Sequence, residues 1–238
     1  MNSLNGLRIK IFADGADRAT MLDLYRNPLI KGFTTNPTMM RSAGVSGYEE
    51  FARGVLADIP DRPISFEVFS DDEGEMGRQA RTIAGWGANV YVKIPVTNTL
   101  GKSTAGLVHR LAADSIKVNV TALMTLAQVS EMGDVLRGPV PACVSVFAGR
   151  IADTGVDPVP IMAEAVRILA DSPNIELIWA SPREVLNIFH AESAGCHIIT
   201  ATHDLLKKLH LVGKDLGEYS LETVKMFYRD AAAANLAL

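Results

Sequence analysis

Short runs of β-branched and aromatic residues alternate with longer segments of helical periodicity along this 238-residue chain. Strands favour such residues in short runs, whereas amphipathic helices place apolar residues three or four positions apart. The alternation occurs eight times. The predicted strands are RIKIFA (8–13), GFTT (32–35), ISFEVF (64–69), NVYVKI (89–94), KVNVTA (117–122), ACVSVF (142–147), IELIWA (175–180) and CHIITA (196–201).

Helical patterns follow the predicted strands, such as PREVLNIFHAESAG after the seventh, where Gly195 is suited to the C-cap. A further helix is predicted at about 220–235, because Ser220, a favoured N-cap residue, precedes LETVKMFYRDAAAANLAL. Eight strand–helix units predict a single-domain (β/α)₈ barrel over residues 1–238, with an open doubly wound sheet as the alternative. The stretch FADGAD is no glycine-rich dinucleotide turn, which favours the barrel.

Composition narrows the classes of function. Hydrophobic residues make up 48% of the chain and charged residues 21%, as in a globular protein with a large core. The net charge of −4 gives no electrostatic reason to expect nucleic acid or membrane as a partner. No signal peptide or membrane-spanning run is found, so a cytoplasmic protein is expected. Cys143 and Cys196 are predicted to be buried thiols, and the histidines form no metal-binding pair, so neither a metal nor a cofactor is expected.

Acids, amides and hydroxyls gather at the predicted C-terminal ends of the strands, where barrel active sites form. Each has a structural explanation when taken singly. Asp14 could cap the following helix, for example, and Asn36 before Pro37 could serve a turn. Together on one rim they predict an active site. In strand order they are Asp14, Thr34, Thr35, Asn36, Glu67, Lys93, Asn119, Thr121, Ser145, Arg150, Ser181 and Arg183.

Lys93 is the most unusual of these residues, because it stands between Val92 and Ile94 near the end of a strand. Burial disfavours the charged form of a lysine, and a neutral amine attacks carbonyl groups, so the position suits a Schiff base. A neighbouring carboxylate would favour the charged form instead. The alternative is a buried ion pair with Glu67 that has no chemical role. The strand sequence alone leaves both interpretations open.

The assembled segments resemble the transaldolase family, and within it the short-chain branch that includes the fructose-6-phosphate aldolases. The resemblance runs from about Ile9 to Leu209, with the segments in family order. They are IFADGA, GFTTNPT, SFEV, VYVKIP, VNVTAL, SVFAGRIAD and IWASPRE. The resemblance implies a (β/α)₈ barrel and an enzyme that uses a Schiff-base lysine. It also implies transfer of a dihydroxyacetone unit between sugar phosphates in the pentose phosphate pathway. The implied reaction interconverts sedoheptulose 7-phosphate plus glyceraldehyde 3-phosphate and erythrose 4-phosphate plus fructose 6-phosphate.

Specific roles follow from the resemblance. Lys93 is expected to form the Schiff base, Glu67 and Thr121 to assist proton transfer through an ordered water, and Asp14 to exchange a proton with the C4 hydroxyl. Asn36 and Asn119 are expected to hold substrate hydroxyls. The phosphate positions are Ser145, Arg150, Ser181 and Arg183, since arginine meets phosphate oxygens bidentately. The implied substrate-binding set is Thr35, Asn36, Asn119, Ser145, Phe147, Arg150, Ser181 and Arg183.

Two positions favour group transfer over simple cleavage. Aldolase-type members carry Gln where this chain has Glu67 and Tyr where it has Phe147. The alternatives are an aldolase that releases dihydroxyacetone and a barrel that binds a phosphorylated ligand without turnover. Gly15, Val146 and Pro182 depart from the family pattern and leave room for a specialised sugar. Pro182 is expected in the first turn of the next helix.

The terminal helix carries an apolar set and an alanine-rich tail, so it is expected either to cover the side of the barrel or to pack on a neighbour. Short-chain relatives form large rings with this helix. The resemblance therefore implies a homo-oligomer, a pentamer or decamer, with sugar phosphates as the other partners. The apolar set is Leu221, Val224, Met226, Phe227 and Tyr228.

Overall fold

Eight parallel strands close into one barrel in chain order, which confirms the predicted (β/α)₈ fold. The structure is a computed structural model that describes residues 4 and 6–234. The eighth strand pairs with the first over five residues and so closes the barrel. The strands are β1 Lys10–Asp14, β2 Ile30–Thr34, β3 Ile64–Glu67, β4 Val90–Pro95, β5 Val118–Leu123, β6 Ala142–Val146, β7 Ile175–Trp179 and β8 Ile198–Thr202.

Helices connect the strands, because consecutive parallel strands need a crossover. A 3₁₀ helix, Lys207–Leu211, precedes the terminal helix. The α-helices of the described part are α1 Arg18–Tyr25, α2 Pro37–Ser42, α3 Tyr48–Asp58, α4 Glu73–Ala84, α5 Ala105–Ala113, α6 Leu126–Leu136, α7 Ala148–Asp153, α8 Pro158–Leu169, α9 Leu186–Ser193, α10 His203–Leu206 and α11 Leu216–Ala233.

The strands are buried on both faces, which explains their nearly continuous apolar runs. One large cluster joins the helices to the outer face of the barrel. A second, smaller cluster consists of Phe12, Cys143, Ile178 and Ile198. Side chains at alternate strand positions share a face, so these residues lie beneath the polar residues at the strand ends. The Phe12 ring occupies the space that a side chain at position 32 would fill, since a Cβ on Gly32 would lie 2.5 Å from it.

Two predicted helix starts are wrong. The terminal helix begins at Leu216 instead of near Ser220, because the Asp215 carboxylate accepts a hydrogen bond from the Glu218 N–H and caps it earlier. Its predicted end at residue 235 lies outside the described residues. Helix α9 begins at Leu186, so Pro182 precedes its first turn. Gly195 follows α9 with a φ of 81°, the left-handed conformation that commonly ends a helix.

Helix α11 differs from the other long helices because no residue along it is buried. Its apolar side chains, among them Leu221, Val224 and Phe227, stand in solvent. Both cysteines, in contrast, are buried free thiols as predicted. Within the described part of the chain, no helix is long and apolar enough to cross a membrane.

Candidate active site

A cavity of about 530 Å³ opens at the C-terminal ends of the strands. Eleven of the thirteen residues predicted to form the site line it, and Thr35 and Asn119 do not. Thr38, Thr200 and Thr202 complete its polar wall. The eleven predicted residues are Asp14, Thr34, Asn36, Glu67, Lys93, Thr121, Ser145, Phe147, Arg150, Ser181 and Arg183.

Lys93 and Glu67 face each other across strands β4 and β3, where they are direct register partners. The Lys93 Nζ lies 3.1 Å from Glu67 Oε2 and donates a hydrogen bond of 2.8 Å to the Thr35 carbonyl. Only 6% of Lys93 is exposed. A buried ammonium requires such partners, so the ion pair explains how a lysine fits there. The same carboxylate stands where it can accept a proton from the amine, so the geometry serves both interpretations of Lys93.

Asp14 ends strand β1 inside the mouth of the barrel. The Thr34 hydroxyl donates a hydrogen bond of 2.8 Å to Asp14 Oδ1. Burial raises the pKa of Asp14 above its ordinary value, while the Lys93 ammonium and the Thr34 hydrogen bond oppose that shift. Asp14 does not cap the next helix, because Asp17 accepts the hydrogen bond from the Thr20 N–H at the start of α1. The structural explanation considered for Asp14 is therefore removed.

The hydroxyl of Thr121 is buried and has no hydrogen-bond partner among the described residues. Buried hydroxyls are nearly always paired, so this one is suited to a ligand or a bound water. The backbone next to it is distorted. Ala122 has a φ of 66°, and the pairing of β5 with β6 shifts register between Val120 and Leu123. A strained backbone conformation persists only where the surrounding structure maintains it, and such conformations cluster at functional sites.

Asn119 and Thr35 support the site from outside its wall. Asn119 is fully buried and connects two serines by hydrogen bonds. Its Oδ1 accepts a hydrogen bond of 2.7 Å from the Ser145 hydroxyl, and its Nδ2 donates one of 3.0 Å to the Ser65 hydroxyl. Thr35 donates to the Ser65 carbonyl at 2.8 Å, and its own carbonyl accepts from Lys93. Asn36 lines the cavity while its Oδ1 caps α2 through the Met39 N–H.

Two arginines also line the cavity. Arg150 follows strand β6, and its guanidinium lies 5.5 Å from the centre of the Phe147 ring. Arg183 is bound differently, because its Nε donates to Asp153 Oδ1 at 2.9 Å and its Nη2 also pairs with Asp153. A carboxylate thus already neutralises Arg183. No acid of the described residues pairs with Arg150 in this way.

Gly149 allows the two arginine-bearing segments to approach each other. A Cβ at this position would lie 1.5 Å from the Ser181 carbonyl oxygen, so only glycine fits. Ser181 itself has a φ of 58°, a left-handed conformation that is uncommon for serine. The close contact fixes the spacing between helix α7, which carries Arg150, and the loop that carries Arg183.

Sequence reasoning missed Thr200 and Gly149. Thr200 stands near the end of the eighth predicted strand, so the rule that selected the other polar residues at strand ends applies to it as well. Gly149 lies inside the segment SVFAGR, where nothing in the sequence distinguishes a close backbone contact from ordinary flexibility.

Comparisons with known proteins agree with the geometry. A family model described as Transaldolase/Fructose-6-phosphate aldolase matches residues 11–237. "Probable transaldolase 2" of Listeria monocytogenes is 33% identical over 202 residues, 84% of this chain and 88% of the relative. "Probable transaldolase" of Thermoanaerobacter sp. is 32% identical over 225 residues, 94% of this chain and 98% of the relative.

Similarity to solved structures supports the fold. A putative phosphonomutase from Burkholderia cenocepacia superposes with a TM-score of 0.59, covering 96% of this chain and 93% of that one. The sequence identity is 10%, so this likeness concerns the barrel alone. From the match over residues 11–237 and the two relatives, the chain belongs to the transaldolase/fructose-6-phosphate aldolase family.

Proposed function

We propose that the protein is a transaldolase that moves a dihydroxyacetone unit between sugar phosphates through a Schiff base on Lys93. The proposed reaction interconverts sedoheptulose 7-phosphate plus glyceraldehyde 3-phosphate and erythrose 4-phosphate plus fructose 6-phosphate. One observation carries the proposal: a buried lysine lines a cavity with its Nζ 3.1 Å from a carboxylate oxygen. A second carboxylate lines the same cavity, and so does a hydroxyl that has no hydrogen-bond partner among the described residues. A covalent amine mechanism requires these groups.

The first step is formation of the Schiff base. Lys93 transfers a proton toward Glu67, and the neutral amine attacks the C2 carbonyl of the ketose to give a carbinolamine. Loss of water then requires a proton on the departing hydroxyl, which Glu67 supplies. The Thr121 hydroxyl is suited to hold that water, because it is buried and has no partner in the described part of the chain. No cofactor is needed for these steps.

Asp14 carries out the second proton transfer. Its carboxylate takes the proton of the C4 hydroxyl, the C3–C4 bond breaks, and the electron pair moves into the iminium to form an enamine. The enamine then adds to the acceptor aldehyde, and Asp14 returns the proton to the new hydroxyl. A carboxyl with a raised pKa suits this exchange, because an acid–base catalyst works best when its pKa approaches the working pH.

The two arginines of the cavity bind the substrate phosphate in this proposal. Arg150 forms no ion pair with a carboxylate of the described residues, so it offers the stronger attraction for an anion, and Arg183 contributes after sharing its charge with Asp153. Ser145 and Ser181 supply hydroxyls on the same wall, and Asn36 lies on the wall as a candidate partner for sugar hydroxyls. Phe147 places an apolar ring where an aldolase-type relative has a tyrosine hydroxyl, which favours transfer over release of dihydroxyacetone.

Borohydride trapping tests the mechanism. The protein is incubated with fructose 6-phosphate, reduced with borohydride and mapped by mass spectrometry. We expect an adduct on Lys93, none in Lys93→Ala, and an undiminished adduct in Lys117→Ala. Lys117 is the control because it precedes strand β5 and is not among the residues that line the cavity. Its ammonium donates a hydrogen bond to the Ala88 carbonyl. Absence of an adduct on any lysine would refute both enzymatic interpretations.

Product analysis then distinguishes transfer from cleavage. With erythrose 4-phosphate as acceptor, a transaldolase forms sedoheptulose 7-phosphate and releases little dihydroxyacetone without the acceptor. If dihydroxyacetone appears at a comparable rate without acceptor, the protein is an aldolase instead.

Self-association through α11 is a further part of the proposal. The helix presents exposed apolar side chains such as Leu221, Val224 and Phe227, and no residue along it is buried. A second copy of the chain is the proposed partner, in a pentamer or decamer. Light scattering coupled to size exclusion measures the mass directly, and Phe227→Glu should reduce it. A monomeric mass for the unaltered chain would contradict the assignment.

A further inference from the structure

A chain of two hydroxyls leads from strand β8 to the Asp14 carboxylate. Thr34 Oγ1 lies 2.8 Å from Asp14 Oδ1 and 2.5 Å from Thr200 Oγ1. The three residues come from three adjacent strands, β1 being paired with β2 on one side and β8 on the other. Thr34 and Thr200 are both buried, with 2% and 5% of their surfaces exposed. Neither has a role in the chemistry proposed above.

The single hydrogen of each threonine hydroxyl determines which group donates in the two hydrogen bonds. A threonine hydroxyl carries one hydrogen, and Thr34 donates its own to the carboxylate. Thr34 must therefore accept in its contact with Thr200, and Thr200 must donate. Each donation polarises the next hydroxyl, so the Thr200 contact strengthens the bond from Thr34 to Asp14.

Thr200, the hydroxyl farther from Asp14, lies next to apolar side chains. Thr200 pairs in register with Phe12, and Ile198 stands two positions earlier on the same face of β8. Phe12 and Ile198 belong to the small cluster inside the barrel. Because Gly32 lacks a side chain, the Phe12 ring can lie against β2 below Thr34. A hydroxyl with apolar neighbours below it gains most by donating to Thr34.

We propose that Thr200, acting through Thr34, is a positioning residue that commits Asp14 Oδ1 to a fixed hydrogen bond and leaves Oδ2 to exchange the proton with substrate. This deepens the proposed function and rests on it. A carboxylate with one oxygen held cannot rotate freely, so the proton leaves and returns at a single oxygen. Holding the reacting group in one geometry accounts for large factors in rate.

Other charged groups also act on Asp14. The Lys93 ammonium favours its ionised form and Glu67 disfavours it, both from inside the barrel. Asp17 after β1, and His203 and Asp204 after β8, line an adjoining pocket whose wall includes Asp14. None of these groups changes when a threonine hydroxyl is removed, so a comparison of threonine variants isolates the hydroxyl chain.

Kinetics provide the first test. Thr200→Val removes the hydroxyl and keeps the shape, Thr200→Ser keeps the hydroxyl, and Thr82→Val makes the same change on the exposed face of α4. We expect Thr200→Val to lower kcat about three- to tenfold, the effect of one lost hydrogen bond, with KM nearly unchanged. The acid limb of the kcat/KM profile should move to higher pH. Thr200→Ser and Thr82→Val should match the unaltered protein.

Carbon-13 NMR of labelled aspartate carboxyls provides a readout independent of turnover. The Asp14 signal is assigned from its loss in Asp14→Asn. Its titration midpoint should rise in Thr34→Val and Thr200→Val and stay unchanged in Thr200→Ser. An unchanged midpoint in Thr200→Val overturns the inference. Thr200→Ala replaces the valine variant if that one folds poorly. If the midpoint moves but borohydride traps no adduct, the hydroxyl chain stands and the transaldolase proposal fails.

Discussion

Substitution of Gly149 by alanine would test how closely the two arginine-bearing segments must approach. The added Cβ would lie 1.5 Å from the Ser181 carbonyl oxygen and 2.6 Å from its carbon. Ordinary contacts begin near 3.4 Å, so the segments must separate by about 2 Å. The obstacle is backbone on both sides, and no flexible side chain can yield. Helix α7 and the Ser181 loop must therefore move apart.

The displacement should affect stability and phosphate binding together. Overpacking of this kind costs about 1–3 kcal/mol, which lowers the Tm of a domain of this size by roughly 2–12 °C. Arg150 would move away from Arg183, and a misplacement of about 1 Å can cost on the order of a hundredfold in rate. The KM for a phosphorylated ketose should rise, whereas the KM for the same ketose without its phosphate should change less.

Gly106→Ala is the matched control. Gly106 also lies in the first turn of a helix, α5, and its added Cβ would make only an ordinary contact of 3.5 Å with the Arg110 side chain. This change should leave the KM unaltered and raise stability by up to about 1 kcal/mol through helix propensity. Thermal melts and steady-state kinetics on both variants are sufficient. If Gly149→Ala behaved like Gly106→Ala in both measurements, the close contact would have no importance for stability or for phosphate binding.

Three further predictions concern the cavity. Arg150→Ala should raise the KM for phosphorylated ketoses more than Arg183→Ala does, because Asp153 already shares the Arg183 charge; steady-state kinetics giving the reverse order would contradict this. Asp14→Asn should raise the Tm at about pH 8, with a gain that shrinks toward about pH 4. The raised pKa of Asp14 makes the folded state hold its proton more tightly, so stability falls as pH rises between the unfolded and folded pKa values. Melts with a gain independent of pH would exclude this cause. Phe147→Tyr should increase dihydroxyacetone release without acceptor, measured by product analysis, and an unchanged ratio of release to transfer would remove Phe147 from the choice of reaction.

The strands were predicted well because β-branched runs bounded by turns are a local signal. All eight were found, and the third ends at Glu67 instead of at the predicted Phe69. Helix starts were less accurate. Ser220 is a good cap by residue type, but Asp215 lies earlier and its carboxylate accepts the Glu218 N–H, so the helix forms one turn sooner. Several residues suited to an N-cap can compete, and only the hydrogen bond selects one.

Residue type and position at strand ends predicted most of the cavity wall, because a closed parallel barrel brings those ends together. Alternation along a strand also explains why Lys93 points inward while Val92 and Ile94 point toward the helices. The hydrogen-bond and ion-pair partners of these side chains could not be predicted from the sequence. The pairing of Arg183 with Asp153 and the burial of Asn119 between Ser65 and Ser145 depend on residues 26 to 54 positions apart.

The sequence by itself determined the eight-unit barrel, the rim on which the polar residues meet and the place of Lys93 on it, because local periodicity and strand order carry that information. Only the tertiary structure decided how those residues act on one another. In the folded barrel Lys93 forms an ion pair with Glu67, and Asp17 instead of Asp14 caps helix α1. Asp14 is connected by hydrogen bonds through Thr34 to Thr200. The physical reason is that hydrogen bonds and charges depend on distances of a few ångströms between strands, which barrel closure sets and residue spacing along the chain does not encode.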